Sequence, residues 1–162
     1  MDNEDKKIAD KVLKHLCLGA RIDGIRFGGI LQMLITDHDS NEYEKGIKGQ
    51  VYINLASRWC VFESMPATLP HNEDAIEDLT QEEEIKLLCT LREKKIADIF
   101  LGESEPHLII TLDNGEVFFL NGHDEQYESW QLGVAFNPPN ENWLVVACPD
   151  DTLAVWYPNY FS

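Results

Sequence analysis

The chain contains no long apolar run. Its β-branched and aromatic residues gather into ten short stretches, none longer than seven residues, most of them closed by Gly, Pro, Asn, Asp or Ser. These stretches are 21–27, 30–36, 50–56, 59–62, 96–101, 108–112, 116–120, 127–132, 143–148 and 152–156. Such spacing predicts a sheet protein with many turns. The Asp113-Asn114-Gly115 sequence between two of the runs is a strong hairpin signal, so antiparallel pairing is expected in place of βαβ crossovers.

Two segments break this pattern and read as helices. In the first, Ile8, Val12, Leu13 and Leu16 recur at helical spacing, with Asn3 available as a cap and Gly19 placed to end the helix. In the second, Thr80 and Glu83 form a T-x-x-E capping box, and Glu82, Glu83 and Glu84 occupy the positive first turn. Ile85, Leu88 and Leu91 supply its apolar side, and Arg92, Lys94 and Lys95 are expected to complement its last turn. The expected class is α+β, mainly antiparallel sheet with two helices.

The two halves also resemble each other. The segment 21–28, RIDGIRFG, matches 95–102, KIADIFLG, in its apolar pattern. Next, 31–37 parallels 107–113, 49–54 parallels 115–121, and 58–62 takes the place of 128–132. Each half follows a helix, which suggests an internally duplicated α-β-β-β-β unit. The expected organisation is a single domain over 1–162, with pseudo-repeat halves 1–66 and 79–157 joined by an acidic loop, 67–78. The halves differ where a long polar insertion at 37–49 replaces the tight Asn114-Gly115 turn, and long insertions are natural contact surfaces.

At 162 residues and 18.5 kDa the chain is long enough to bury about 70% of its unfolded surface around one core. A mean hydropathy of -0.28 and the short apolar runs give no membrane span. The four cysteines, Cys17, Cys60, Cys89 and Cys148, form no C-x-x-C pair, so they read as reduced residues rather than zinc ligands or a redox pair. The first residues lack the apolar core of a signal peptide, and the expected location is cytoplasmic.

Charge is the outlying property. The formal net charge is -16, from 29 acids against 13 Lys and Arg. No Lys or Arg follows Lys95, and seven acids with no base lie between Asn72 and Glu84. Direct nucleic-acid binding is disfavoured, because its affinity comes from neutralising phosphates with cations. Clustered acids also repel one another when the chain folds, a cost that mixing signs would remove. The surface therefore reads either as general acidity or as a face shaped to meet something strongly positive.

Catalytic and ligand motifs are scarce. Asp37-x-Asp39-x-Asn41 begins like a calcium loop but has Glu42 at the glycine position and Lys48 at the bidentate glutamate position. His15, His38, His71, His107 and His123 show no metal-ligand spacing; His123-Asp124-Glu125 reads as a polar turn. No G-x-S-x-G elbow frames Ser129, and no phosphate-binding loop is present; Gly28-Gly29 reads as a hairpin turn. Paired carboxylates are abundant, but linear sequence does not fix the separation that hydrolysis needs. No cofactor, metal or catalytic residue is expected.

Trp59, Trp130, Trp143 and Trp156 all fall in predicted strands and read chiefly as core fillers with hydrogen-bonded indoles. Tyr127, flanked by Asp124, Glu125 and Glu128, is the best candidate for an exposed contact residue. The closing 157–161, YPNYF, is a further apolar group.

The last third carries a recognisable order: ITLDNGEVFF at 110–119, YESWQL at 127–132, Cys148-Pro149, then LAVW at 153–156. In this it resembles small acidic bacterial proteins encoded beside polymorphic toxins, the immunity proteins of contact-dependent inhibition and related secretion systems. Where relatives often carry Gly-Gly after Cys-Pro, this chain has Asp150-Asp151, which leaves the geometry of that turn open. The resemblance implies a role class, immunity against a toxin, without identifying the toxin. Joined to the acidic charge, it gives the leading expectation of a non-enzymatic protein that binds a cognate cationic toxin domain, with a nuclease as the leading type, and blocks its active site or substrate groove. The expected partner-binding residues are Glu73, Asp74, Glu77, Asp78, Glu82 and Glu83, with Asp124, Glu125, Tyr127 and Glu128 as an alternative patch. Two other readings stand beside it: an acidic adaptor or nucleic-acid-mimic regulator of a host protein, and a carboxylate-dependent hydrolase. Sequence leaves oligomeric state and toxin identity open.

Overall fold

The computed structural model of the protein describes residues 1–37, 47–139 and 141–161. The calcium-loop pattern beyond Asp37, and most of the 37–49 insertion, lie outside the described residues. The chain is α+β: two helices and ten strands, all pairing antiparallel, in two sheets among the described residues. No helix among them is long and apolar enough to cross a membrane.

Helix α1 (Asn3–Cys17) buries Ala9, Val12, Leu13, Leu16 and Cys17, a helical stripe, while Ile8 is only half-buried. Its cap is Asp2, not Asn3: the Asp2 carboxylate accepts from the amides of Glu4 and Asp5, orphan donors that only the residue before the first turn can reach. Helix α2 (Gln81–Thr90) has the full capping box of Thr80 and Glu83. It ends before Arg92, so the expected basic last turn is absent; Lys94 instead pairs with Glu116.

The strands are β1 (Arg21–Arg26), β2 (Gln32–Thr36), β3 (Gln50–Leu55), β4 (Trp59–Phe62), β5 (Ile96–Leu101), β6 (Leu108–Leu112), β7 (Val117–Leu120), β8 (Trp130–Ala135), β9 (Leu144–Cys148) and β10 (Thr152–Trp156). One sheet runs β1-β2-β3-β8-β9-β10 and the other β4-β7-β6-β5. Each half contributes a three-stranded meander to its own sheet and sends its fourth strand to the other. Thus β4 lies beside β7, with Trp59 opposite Leu120, and β8 lies beside β3, with Trp130 opposite Leu55.

The correspondence extends to detail. The β1–β2 ladder skips a residue between Ile22 and Gly24, and the β5–β6 ladder skips one between Ile96 and Asp98. Where the halves meet, the Ile22 amide donates to the Lys94 carbonyl and the Ile96 amide to the Ala20 carbonyl, a reciprocal pair. The tryptophan alignment is one residue off the expected one, because Trp59 corresponds to Trp130 and not to Ser129.

The inner faces of both sheets share one core with α1, built from Leu13, Leu16, Met33, Ile53, Ile99, Ile110, Phe118, Leu132 and Val145 among others. α1 packs on β5, β9 and β10. The outer face of the smaller sheet is also apolar, and the acidic connection covers it: Leu69 and Ile76 pack on Cys60, Phe62, Phe100, Ile109, Val117 and Phe119. Segment 67–78 is therefore a strap held to the sheet by Leu69 and Ile76, with Asp74, Glu77 and Asp78 exposed and Glu73 half-buried. Near the carboxyl end of the chain, Phe161 packs on Trp143 and His15, at ring centroid separations of 5.0 and 4.8 Å, while Tyr160 stays exposed.

The tryptophans divide. Trp59, Trp130 and Trp143 are buried, and Trp156 is 48% exposed at the end of β10. Trp143 lies just before β9, outside the strand.

Candidate functional site

The β3–β4 connection at 56–58 separates two cavities, and Ala56 lines both. The first, about 200 Å³, lies between this connection, the strap and the first turn of α2. Among the described residues, Glu73, Glu77, Asp78 and Glu84 line it around one cation, Arg58. The Arg58 guanidinium donates to the carbonyls of Glu73 (3.2 Å) and Ile76 (3.4 Å) and sits 3.5 Å from an Asp78 carboxylate oxygen. Trp59 donates its indole N–H to Glu84 (2.8 Å), and Ser57 donates to Glu73 (3.3 Å) while accepting from Asn121 (2.8 Å). These contacts hold one wall of the cavity.

The first set of expected binding residues is thus only partly gathered. Glu73, Glu77 and Asp78 share the cavity with Glu84, which was not among them. Asp74 is exposed, in the short 3-10 turn (Glu73–Ala75) capped by Asn72. Glu82 is exposed on α2 outside the lining, and Glu83 is engaged in the capping box.

The second cavity, about 460 Å³, is lined by Tyr127 and Glu128 together with Ile30, Asn54, Gln131 and Pro149. Tyr127 is 70% exposed, although its backbone is fixed. Asp124 Oδ1 accepts from the amides of Gln126 (2.7 Å) and Tyr127 (2.8 Å), which hold its carboxyl below the usual carboxylate range. This turn delays the strand expected at 127 until Trp130. Glu125 is exposed beside it, outside the lining. The Asp150 amide donates to the Asp124 carbonyl, and His123 Nδ1 lies 2.7 Å from Asp151 Oδ1. That hydrogen bond raises the His123 pKa. Asp150 and Asp151 sit at φ 59° and 56°, so the turn adopts the left-handed backbone that Gly-Gly would take most easily.

A row of side chains reaches this cavity across the outer face of the larger sheet. Arg26 donates to Gln32 Oε1 (3.3 Å), Gln32 to Asn54 Oδ1 (2.6 Å), Asn54 to Gln131 Oε1 (3.4 Å), and Gln131 to Glu128 Oε2 (2.7 Å). Arg26, Gln32, Asn54 and Gln131 are direct cross-strand neighbours through the ladders β1–β2–β3–β8. Each amide accepts on one side and donates on the other, so the row is polarised from a cation to a carboxylate, an arrangement in which successive bonds strengthen one another. Strand-by-strand reading misses this row, because it exists only once the register of four strands is set.

Among the described residues, no group of three or more His, Cys, Asp or Glu is arranged to hold a metal ion. No protein-family model matches the chain, and no curated protein or solved structure is significantly similar to it.

Proposed function

We propose that this protein is an immunity protein that binds and neutralises a cognate cationic toxin domain, of the kind found in nucleases, by covering its active site or substrate groove. The observation that carries the reading is the convergence of Glu73, Glu77, Asp78 and Glu84 on one cavity, adjoining a second that presents Tyr127 and Glu128. Glu73, Glu77 and Asp78 of the first expected set, and Tyr127 and Glu128 of the second, line cavities that share Ala56, which supports reading them as parts of one binding face. Carboxylates on a fixed scaffold stand in for phosphates, and their long-range attraction speeds capture of a basic partner. Affinity then rests on a few desolvated contacts, for which an exposed tyrosine is well suited.

The test is affinity capture from a lysate of the source organism expressing its neighbouring genes, eluted by a salt step. A single basic domain, retained at moderate salt and inhibited in stoichiometric proportion, is the expected result. Release of many basic proteins together at low salt would reduce the surface to nonspecific acidity.

A further inference from the structure

We infer that the second cavity is a seat for an arginine side chain of the basic partner, its guanidinium stacked on the Tyr127 ring and paired with the Glu128 carboxylate. This rests on the proposed function and narrows it from a cationic surface to one chemical group. Four observations point there.

Tyr127 is held through its backbone by Asp124, yet 70% of the residue remains exposed. The ring is presented on a fixed turn, so little entropy is lost when a planar cation stacks on it. Glu128 is oriented too. Its Oε2 is fixed by Gln131 at the acidic end of the polarised row, and its Oε1 has no hydrogen-bond partner among the described residues. An oriented carboxylate in a cavity that an exposed aromatic also lines suits the flat, forked guanidinium better than the compact ammonium of lysine.

The walls complete the match. Ile30, itself 47% exposed, and Pro149 offer apolar surface to a methylene stem, which arginine buries while its head stays polar. Finally, no Lys, Arg or His among the described residues lines this cavity, whereas the first contains its own guanidinium, Arg58. Arg26 is held at the far end of the row, facing Gln32 and 5.5 Å from the Phe136 ring centroid. With a net charge of -16, the chain complements a basic partner and repels a second copy of itself.

The probes are hexa-arginine and hexa-lysine peptides, equal in charge, titrated into the full-length protein at physiological salt and followed by amide NMR and calorimetry. Hexa-arginine is expected to bind about fivefold more tightly than hexa-lysine. Its shifts should centre on Gln126, Tyr127, Glu128 and Gln131, with the preference lost in both Tyr127→Ala and Glu128→Gln. Both substitutions are at exposed positions, and near-native amide spectra would verify that the variants fold. Equal binding of the two peptides would overturn the arginine seat and leave the acidic-face reading standing. An arginine preference mapping to the strap would also overturn it. Binding of neither peptide, even at low salt, would remove both readings, and self-association that shifts the same amides without peptide would assign the cavity to a second copy.

Discussion

Gly19 and Glu93, 74 positions apart, hold the same backbone corner in the two halves of the molecule. Their φ angles are 79° and 67°, the Gly19 amide donates to the Ile96 carbonyl, and the Glu93 amide donates to the Ile22 carbonyl. Each corner follows a helix and feeds the first strand of its half, so each half is anchored on the other's first strand. The correspondence is conformational and not chemical. One half meets the left-handed requirement with glycine, the other with an exposed glutamate that gains nothing evident from it.

Glu93→Gly is therefore expected to stabilise the protein, by about 0.5–1 kcal/mol, since the left-handed cost to an L-residue slightly exceeds the added chain entropy of glycine. Gly19→Ala should destabilise by at least about 1 kcal/mol. Urea unfolding midpoints of the two variants check both signs, and equal destabilisation by both would show that the Glu93 side chain contributes more than its backbone costs.

The local elements were legible because their causes are local. The Thr80–Glu83 box, the Asn114-Gly115 hairpin and the limits of β4, β5, β6 and β10 follow from capping, turn chemistry and alternation. The exchange of β4 and β8 between sheets was not legible, since alternation marks which residues of a strand face inward but not which neighbour it pairs with. The same limit hid Arg58. Its sequence neighbours Trp59 and Ser57 advertise nothing, and only the strap folding back over the smaller sheet brings Glu73 and Asp78 to it. Segment 67–78 read as a linker because its two anchors, Leu69 and Ile76, are isolated apolar residues in an acidic stretch.

The turn after Cys148-Pro149 gives a second backbone test. Asp150 and Asp151 are consecutive left-handed residues, but only Asp151 has a side-chain partner in His123. Asp150→Gly should raise stability by up to about 1 kcal/mol, whereas Asp151→Gly, which also removes the pair, should give a smaller gain or a loss. Thermal melts at neutral pH distinguish the two. Parallel gains would mean that the histidine pair contributes nothing.

Arg58 and Asp78 differ in what they hold. Arg58→Met removes donors from the carbonyls of Glu73 and Ile76 and leaves four cavity-lining carboxylates without a cation between them, an expected loss of roughly 1–3 kcal/mol. Asp78 is 75% exposed and 3.5 Å from the guanidinium, so Asp78→Asn should cost under about 0.5 kcal/mol. Urea denaturation of both decides whether Arg58 serves chiefly the strap's backbone or its acids; similar losses would point to the ion pair.

Two histidines titrate in opposite directions. The hydrogen bond to Asp151 raises the pKa of His123, and burial lowers that of His107, whose Nδ1 accepts from Gly122. The His123 contribution is present in full below its unfolded value of about 6.5 and is lost as pH rises through the higher folded value. The His107 contribution has the other sign. Its native site resists protonation, so stability falls as pH drops below about 6.5 toward the folded value. Imidazole proton shifts should give His123 a midpoint above the ordinary one and His107 a midpoint below it, with Asp151→Asn returning only His123 toward normal. Coincident midpoints would contradict both environments.

The acidic face makes a kinetic prediction once a basic partner is in hand. Replacing Glu73, Asp74, Glu77 and Asp78 with Ser removes four negative charges from the strap, three of which lie on exposed side chains. Leu69 and Ile76, which hold the strap to the sheet, are untouched, so the fold should persist. Rim charges act mainly on diffusional encounter, so the association rate at low salt should fall by about tenfold and its salt dependence should flatten, with a smaller change in the dissociation rate. Stopped-flow association across a salt series measures this directly. An unchanged rate at low salt would remove the strap from the interface and leave the Tyr127–Glu128 cavity as the surface to test.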